Sequence, residues 1–210
     1  MEIHAPHQPI LSFKEALVHL GIVTIGILIA LSLEGLLEWQ HHRELVHEAT
    51  ANIRDELRDN DNELTHFLDA TNKLRAEEVA ALDFLKAAAE HRTPVSGSLT
   101  VGFSRADISD ASWATAQTTG ALGLMNYGQV KQYAQIYELQ DEFVRLQGKS
   151  IDALVLAMMP FQGNRSPADL SSAELQLARE RILDLMSDLQ TEEQIGQALH
   201  KRYEAGLAAR

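Results

Sequence analysis

Two Glu-x-x-His units are the part of this sequence whose residue types and spacing come nearest to metal chemistry. They are Glu44 with His47 and Glu63 with His66. This spacing places both side chains of a unit on one face of a helix, and di-iron carboxylate bundles use two such units. Those bundles take each unit from a different helix, whereas here both fall on one predicted helix, about 28 Å apart. We therefore interpret all four as exposed residues of a helix surface.

An acidic run on the same predicted helix resembles the beginning of a calcium-binding loop. Asp59, Asp61 and Glu63 occupy alternate positions, as the first ligands of such a loop do. The sixth position is Leu64, where the turn needs a glycine, and the twelfth is Ala70, where a bidentate glutamate is needed. We interpret the run as a solvated acidic face.

Histidines and glycines elsewhere do not complete a site either. None of His41, His42 and His47 is four residues from another, so they form no helical zinc pair; they are interfacial polar residues or, alternatively, a collar that titrates near neutral pH. Gly120 and Gly123 lack the lysine and the preceding strand of a phosphate loop, and no serine lies in a nucleophile elbow. The sequence predicts no catalytic residue, no metal, no cofactor and no enzymatic activity.

Composition excludes further classes of partner. The chain has 210 residues, a formal net charge of −12 and no cysteine. A nucleic-acid surface needs lysine and arginine to displace counterions from phosphate, so we expect no nucleic-acid partner. Disulfides and thiolate chemistry are excluded. Apolar residues make up 45% and aromatic residues 6%, with leucine and alanine abundant, which favours helices over sheet.

An apolar run over residues 16–33, ALVHLGIVTIGILIALSL, has His19 as its one strongly polar member. Extended to residue 37, it makes about 33 Å of helix, enough to cross a bilayer core of about 30 Å. A capping box from Ser12 to Glu15 begins the helix, and no small-residue cleavage site ends it. The sequence predicts a polar tail over residues 1–12, a transmembrane helix over 13–38 and a soluble helical bundle over 39–210.

Small residues recur within the predicted membrane helix, and they let a second helix approach closely: Gly26, Ala30, Ser32 and Gly35. Glycine and alanine are also common in membrane helices without any packing role. We expect Glu34 and Trp39 to lie at the membrane interface, where a carboxylate can reach water and an indole is favoured. The predicted partners are the lipid bilayer and either a second copy of the chain or another membrane protein.

The remaining chain has the period of amphipathic helices. The first runs on from the membrane segment to about residue 91, with a weak point at residues 58–62 where a bend is an alternative. After a break at residues 92–108 and a short helix, Asn126 begins a helix that ends near residue 159, with Val144 on its predicted apolar face. Ser171 and Glu174 begin the last helix. We predict an all-α fold in which the transmembrane helix continues into an antiparallel helical bundle.

Four aromatic side chains lie near the predicted loops and helix starts of this bundle: Trp113, Tyr127, Tyr133 and Tyr137. Together they are candidates to line a small-molecule pocket. The alternative is that they plug one end of the bundle, as aromatic residues near loops commonly do.

Two stretches resemble an uncharacterised bacterial family of single-pass inner-membrane proteins. The first is GILIALSLEGLLEW, and the second comprises Ser112-Trp113, Thr119-Gly120 and the YAQIYELQ run from Tyr133. The resemblance covers roughly 75 of the 210 residues. It implies a single membrane helix and a helical C-terminal domain. Because the family has no assigned activity, the resemblance implies nothing about activity.

We expect a protein of the bacterial inner membrane whose soluble domain lies in the periplasm. Two classes of function remain open. One is a structural or accessory subunit, or a self-assembling scaffold, of a membrane complex. The other is a periplasmic sensory or small-ligand-binding bundle. An enzyme, the third class, has no positive feature in the sequence.

Overall fold

A computed structural model describes residues 13–89, 102–163 and 165–208. Within these ranges the fold is all-α and contains no strand, which confirms the predicted fold class. Two 3₁₀ turns, Met159–Phe161 and Pro167–Asp169, connect the last two helices. The helices are α1 (Phe13–Ala89), α2 (Ala111–Thr118), α3 (Ala121–Leu124), α4 (Tyr127–Met158) and α5 (Ser172–Ala208).

The chain separates into two compact units, residues 1–47 and residues 48–210. In the first unit, the large apolar side chains from Leu17 to Leu37 are each 51–67% exposed. The hydroxyl of Thr24 donates to the backbone carbonyl of Leu20 at 2.8 Å, and that of Ser32 donates to Leu28 at 2.7 Å. These two hydroxyl groups are therefore satisfied within the helix, as an apolar surrounding requires.

In the second unit, α1, α4 and α5 pack as a bundle. Tyr137 and Gln140 of α4 bond to Glu56 and Asn60 of α1, so the numbers rise together and the two helices run parallel. The partners of α5 fall in the opposite order: His200 pairs with Asp61, and Glu193 with Arg75. Helix α5 is therefore antiparallel to both. Parallel neighbours need a crossover connection, and residues 102–126, which include α2 and α3, are the part of the connection between α1 and α4 that the structure describes.

The helix starts of α4 and α5 follow local sequence. The amide of Gly128 donates to the Asn126 side chain at 2.8 Å, so Asn126 caps α4 as predicted. At α5 the Ser171 amide donates to Glu174 at 2.8 Å and the Glu174 amide donates to the Ser171 hydroxyl at 3.3 Å. This reciprocal capping box confirms the predicted start of the last helix.

The core stripe of α4 differs from the predicted one. Val144 is 44% exposed, whereas its neighbour Phe143 is fully buried and meets Phe67 edge-to-face at 5.3 Å. The buried positions of α4 also include Gln140 and Gln147. Tyr133 and Tyr137 are buried as the period predicts, but it misplaced the stripe at Val144 because it could not anticipate that amide side chains belong to the buried face.

The predicted weak point of α1 is instead a packed part of the bundle. Helix α1 continues through residues 58–62, and Asn60 is 2% exposed. Short polar residues compete with helical backbone bonds only when their side chains lack better partners. Asn60 has such partners in the loop before α2, so no bend forms.

Two glycines bring α5 close to its neighbours. A Cβ atom at Gly196 would lie 3.2 Å from the Phe143 ring, and one at Gly206 would lie 2.6 Å from Ile136. Because glycine lacks a Cβ atom, α5 can approach its neighbours more closely here than it could with a larger residue at the same position.

Candidate functional site

The buried carboxylate of Glu56 joins α1, α2 and α4. One oxygen, Oε1, accepts a hydrogen bond from the Tyr137 hydroxyl at 2.6 Å. The other, Oε2, accepts from the Ser112 backbone amide at 2.7 Å and from the Ser109 hydroxyl at 3.2 Å. Ser112 lies in the first turn of α2, while the N-cap residue Asp110 makes no side-chain cap. A carboxylate from another helix therefore satisfies the amide end of α2, where negative charge is also favoured.

The phenol that faces Glu56 is kept protonated. Burial, with the hydrogen bond to Glu56 as the next cause, raises the pKa of Tyr137 well above its usual range. The Trp113 indole stacks on the Tyr137 ring, with 5.0 Å between ring centroids and 14° between planes. The hydroxyl of Tyr137 thus donates to the carboxylate while its face packs on α2.

Asn60 holds the loop before α2 against the bundle. Its Oδ1 accepts from the Ser109 amide at 2.9 Å, and its Nδ2 donates to the Ser109 carbonyl at 2.7 Å. Gln140 donates to the same carbonyl at 3.0 Å and accepts from the Tyr203 hydroxyl at 2.8 Å. Because the acceptors of this network are used by internal donors, the arrangement stabilises a unique fit of loop and helices.

The predicted aromatic residues lie in different surroundings. Trp113 and Tyr137 are stacked, and Tyr133 is 1% exposed one turn before Tyr137. Gln129 donates to the Tyr133 hydroxyl at 3.3 Å. Tyr127, the first residue of α4, is 82% exposed. The structure therefore brings three of the four together in the bundle, and a ligand pocket formed by them stays a prediction.

Glu192 of α5 is a buried acid that the sequence interpretation missed. Its side chain is fully buried, and neither carboxyl oxygen has a hydrogen-bond partner among the residues that the structure describes. Burial raises its pKa to about 7, and the nearby polar side chains of Ser150 and Gln147 act in the opposite direction. The signal was present in the sequence, because Glu192 lies three residues after Leu189 on the apolar stripe of α5.

The Glu-x-x-His units do not converge. Glu44, His47, Glu63 and His66 are all exposed. In residues 13–89, 102–163 and 165–208, no group of three or more histidine, aspartate or glutamate side chains is placed to hold a metal ion.

The predicted packing residues of the first unit lie on an open face. No atom lies within 4 Å of a Cβ built on Gly26 or Gly35, and Ala30 and Ser32 are exposed. At the predicted interface Glu34 and Trp39 are also exposed, and the Arg43 guanidinium lies 5.6 Å from the Trp39 ring centroid. Such a cation–π pair is suited to the region where lipid headgroups meet water.

A cleft of about 370 Å³ lies in the second unit between α1 and α5. The Arg75 guanidinium at its edge is paired with Glu193. Its walls are otherwise mainly apolar, and they include Thr71, Val79, Leu183, Met186, Leu189 and Gln190.

These features define a class: an all-α protein with a helical bundle and one helix that by length and composition can cross a membrane. The mean hydropathy of that helix reaches 2.4 over its most apolar window, and none of the window is buried. Comparison of the chain with family models, curated proteins and solved structures gives no match in any of the three. The resemblance to a bacterial inner-membrane family therefore stays a prediction from the residues.

Proposed function

We propose that this chain is a membrane-anchored helical protein, not an enzyme, that acts as a structural or accessory subunit or a self-assembling scaffold of a membrane complex. The observation that carries the proposal is the apolar surface over residues 17–37, whose large side chains are each more than half exposed. An apolar surface of this extent is stable only against an apolar phase, and the length of this apolar segment of α1 matches a bilayer.

The open small-residue face supports assembly within the membrane. Gly26 and Ala30 are one turn apart on the same side of the helix, and Gly26 has no neighbouring atom within 4 Å of its Cβ position. In lipid, such residues let a second helix pack closely by van der Waals contact. The partner is a second copy of this chain or another membrane protein.

The second unit supports a structural role. Hydrogen bonds of Glu56 and Asn60 join α1, α2, α4 and the loop before α2, with donors and acceptors that all lie within the bundle. A bundle held in this way presents a constant outer surface, which is what a subunit or scaffold needs.

The decisive experiment is the mass and composition of the full chain after extraction from its membrane in mild detergent. A homogeneous particle at an integer multiple of 23.3 kDa supports a scaffold, and stoichiometric co-purification of another membrane protein supports an accessory subunit. A bare monomer contradicts both forms of the proposal. Recovery in the soluble fraction, without detergent, contradicts the membrane anchor itself.

For localisation we propose the bacterial inner membrane with the bundle in the periplasm. The absence of cysteine makes this simple to test, because one introduced cysteine is the only reactive thiol. A Gln135→Cys variant, at an exposed position of α4, should react with a membrane-impermeant maleimide in intact spheroplasts. Reaction only after lysis would place the bundle on the cytoplasmic side.

A small-ligand-binding bundle is the second candidate, and the cleft between α1 and α5 is the observation that favours it. Its apolar walls and few polar groups have the character of a ligand site. A thermal shift with a small molecule that is abolished by Met186→Trp, which would fill the cleft, would favour this function over assembly.

A further inference from the structure

We propose that the bundle contacts the lipid headgroup layer with one particular end, through Leu124 and Tyr127, which flank the turn between α3 and α4. This inference rests on the proposed membrane anchor and adds a second, separate contact with the bilayer. It concerns only which end of the second unit faces the lipid.

The end in question is identified by the pairing of helices in the second unit. Helices α1 and α4 run parallel, with Glu56 bonded to Tyr137. Tyr127 lies ten residues before Tyr137, about 15 Å along α4. Residue 48 lies eight residues before Glu56, about 12 Å along α1. Both therefore lie toward the same end of the second unit. The last turn of α5 lies there too, because Arg54 donates to the Leu207 carbonyl at 2.6 Å. We call this the proximal end of the bundle.

The proximal end is tethered to the apolar helix by a short length of chain. Ten residues, 38–47, lie between residue 37 and residue 48, and the eleven steps from one Cα atom to the next span at most about 40 Å even when fully extended. The opposite end, where α5 begins, has no such constraint. If residues 17–37 lie in the bilayer, this length of chain therefore keeps residue 48 within about 40 Å of the headgroups.

The side chains displayed at the proximal end suit that environment. Tyr127 is 82% exposed and Leu124 is 42% exposed, so both leave apolar surface in contact with water. Gly120, in the left-handed conformation with φ 77°, makes the turn that leads into α3. One turn into α4, Lys131 is also exposed. Tyrosine is enriched at the membrane interface, and a lysine can pair with an anionic headgroup while its stem covers apolar surface.

Exposed apolar side chains also occur at the opposite end, and they provide a matched control. Leu177 is 43% exposed, nearly the same as Leu124, and it lies near the beginning of α5. The pairing of Arg181 with the Leu156 carbonyl, at 2.8 Å, places that region at the far end of α4. Exposure alone therefore does not distinguish Leu124 from Leu177. Only the short connection to the apolar helix distinguishes the proximal end from the opposite end.

The test uses the full chain with single cysteines introduced at Tyr127, Leu177 and Ile29. Each variant is labelled with a nitroxide and reconstituted into vesicles of phosphatidylcholine and phosphatidylglycerol. Collision rates with oxygen, which enriches in lipid, and with a water-soluble nickel chelate report the depth of each label. Circular dichroism confirms that each variant keeps its helical content.

We expect the oxygen-to-nickel ratio to be highest for the Ile29 label, and several-fold higher for the Tyr127 label than for the Leu177 label. Labels at Tyr127 and Leu177 that are equally accessible to nickel, with Ile29 protected, would overturn this inference and leave the membrane anchor standing. Equal protection of Tyr127 and Leu177 would also overturn it, because the bundle would then lie along the surface. A nickel-accessible Ile29 would overturn the anchor as well.

Discussion

The Glu56 carboxylate on α1 accepts a hydrogen bond at 2.7 Å from the backbone amide of Ser112, in the first turn of α2. A residue 56 positions earlier in the chain thus supplies the cap that the local N-cap residue, Asp110, does not. The relationship couples the formation of α2 to the packing of the bundle, because α2 has only eight residues and is too short to be stable alone.

We predict that Glu56→Ala destabilises the bundle by about 3 kcal/mol, because the buried Tyr137 hydroxyl and the Ser112 amide both lose their acceptor. Denaturant unfolding of the full chain in detergent, followed by circular dichroism, measures the change. Asp55→Ala is the control; Asp55 pairs with Arg58 on the exposed surface, so its loss changes stability by under about 0.5 kcal/mol. Equal effects of the two variants would refute the capping role of Glu56.

Tyr137 combines a hydrogen bond and a ring contact that two substitutions separate. Tyr137→Phe removes the bond to Glu56 and keeps the stack on Trp113; we expect a loss of about 1–3 kcal/mol and little change in indole fluorescence. Tyr137→Leu removes both and should also shift the Trp113 emission. The measurement is made in a Trp39→Phe background, so that Trp113 is the one emitter. An unchanged emission in the leucine variant would mean that the stack is absent in solution.

Because the Glu192 carboxyl is buried, we predict that the free energy of unfolding of the bundle falls between about pH 4.5 and pH 8. The pKa of this carboxyl is raised from 4.5 to about 7 in the folded chain. The folded state therefore binds the proton more tightly than the unfolded state, and its stabilisation is complete below pH 4.5 and is lost as the pH rises through about 7. The pKa of Glu174 is lowered to about 2, so its contribution is lost only at more acidic pH and leaves this window unaffected.

The free energy of unfolding of Glu192→Gln, measured across that pH range, should be flatter than that of the parent chain. Glu180→Gln is the matched control, since the Glu180 side chain is exposed and lies on the same helix. It should keep the pH dependence of the parent. If both variants keep it, ionisation of Glu192 does not govern the stability of the bundle.

Substitution by valine should destabilise the bundle at Gly196 and have little effect at Gly148. A Cβ at Gly196 would lie 3.2–3.4 Å from Phe143, Leu68 and Leu64, whereas one at Gly148 would meet no atom within 4 Å. We expect Gly196→Val to destabilise by about 2 kcal/mol through overpacking, and Gly148→Val to change stability by under about 0.5 kcal/mol. Thermal unfolding of the two variants checks the difference, and similar melting temperatures would exclude close approach of α5 at Gly196.

Gly26→Leu should weaken assembly in the membrane while leaving the bundle folded, because a large side chain prevents close helix contact. Gly21→Leu is the control: Gly21 is equally open, and the five-residue offset turns it about 140° away from Gly26 around the helix. Sizes of the two particles in mild detergent give the comparison. An assembly that tolerates Gly26→Leu as well as Gly21→Leu does not use that face.

The features predicted correctly from sequence are those decided by local chemistry. The capping residues Asn126, Ser171 and Glu174 begin α4 and α5 where they were expected. The apolar residues that recur at helical spacing along α5 from Leu175 to Tyr203 are buried. The apolar run of the first unit is visible without any structure. In each case the residues responsible lie within a few turns of one another, so their interactions can be read along the chain.

Only the tertiary structure determines which polar groups are buried. Asn60, Gln140 and Glu56 look like surface residues in sequence. Each is buried because its partners come from another helix or from the loop before α2, 31 to 81 positions away. The parallel course of α1 and α4 likewise depends on the crossover that these contacts secure. Burial of a polar group is favourable only when a specific partner is present, and the three-dimensional fold, not local sequence, determines which distant partner that is.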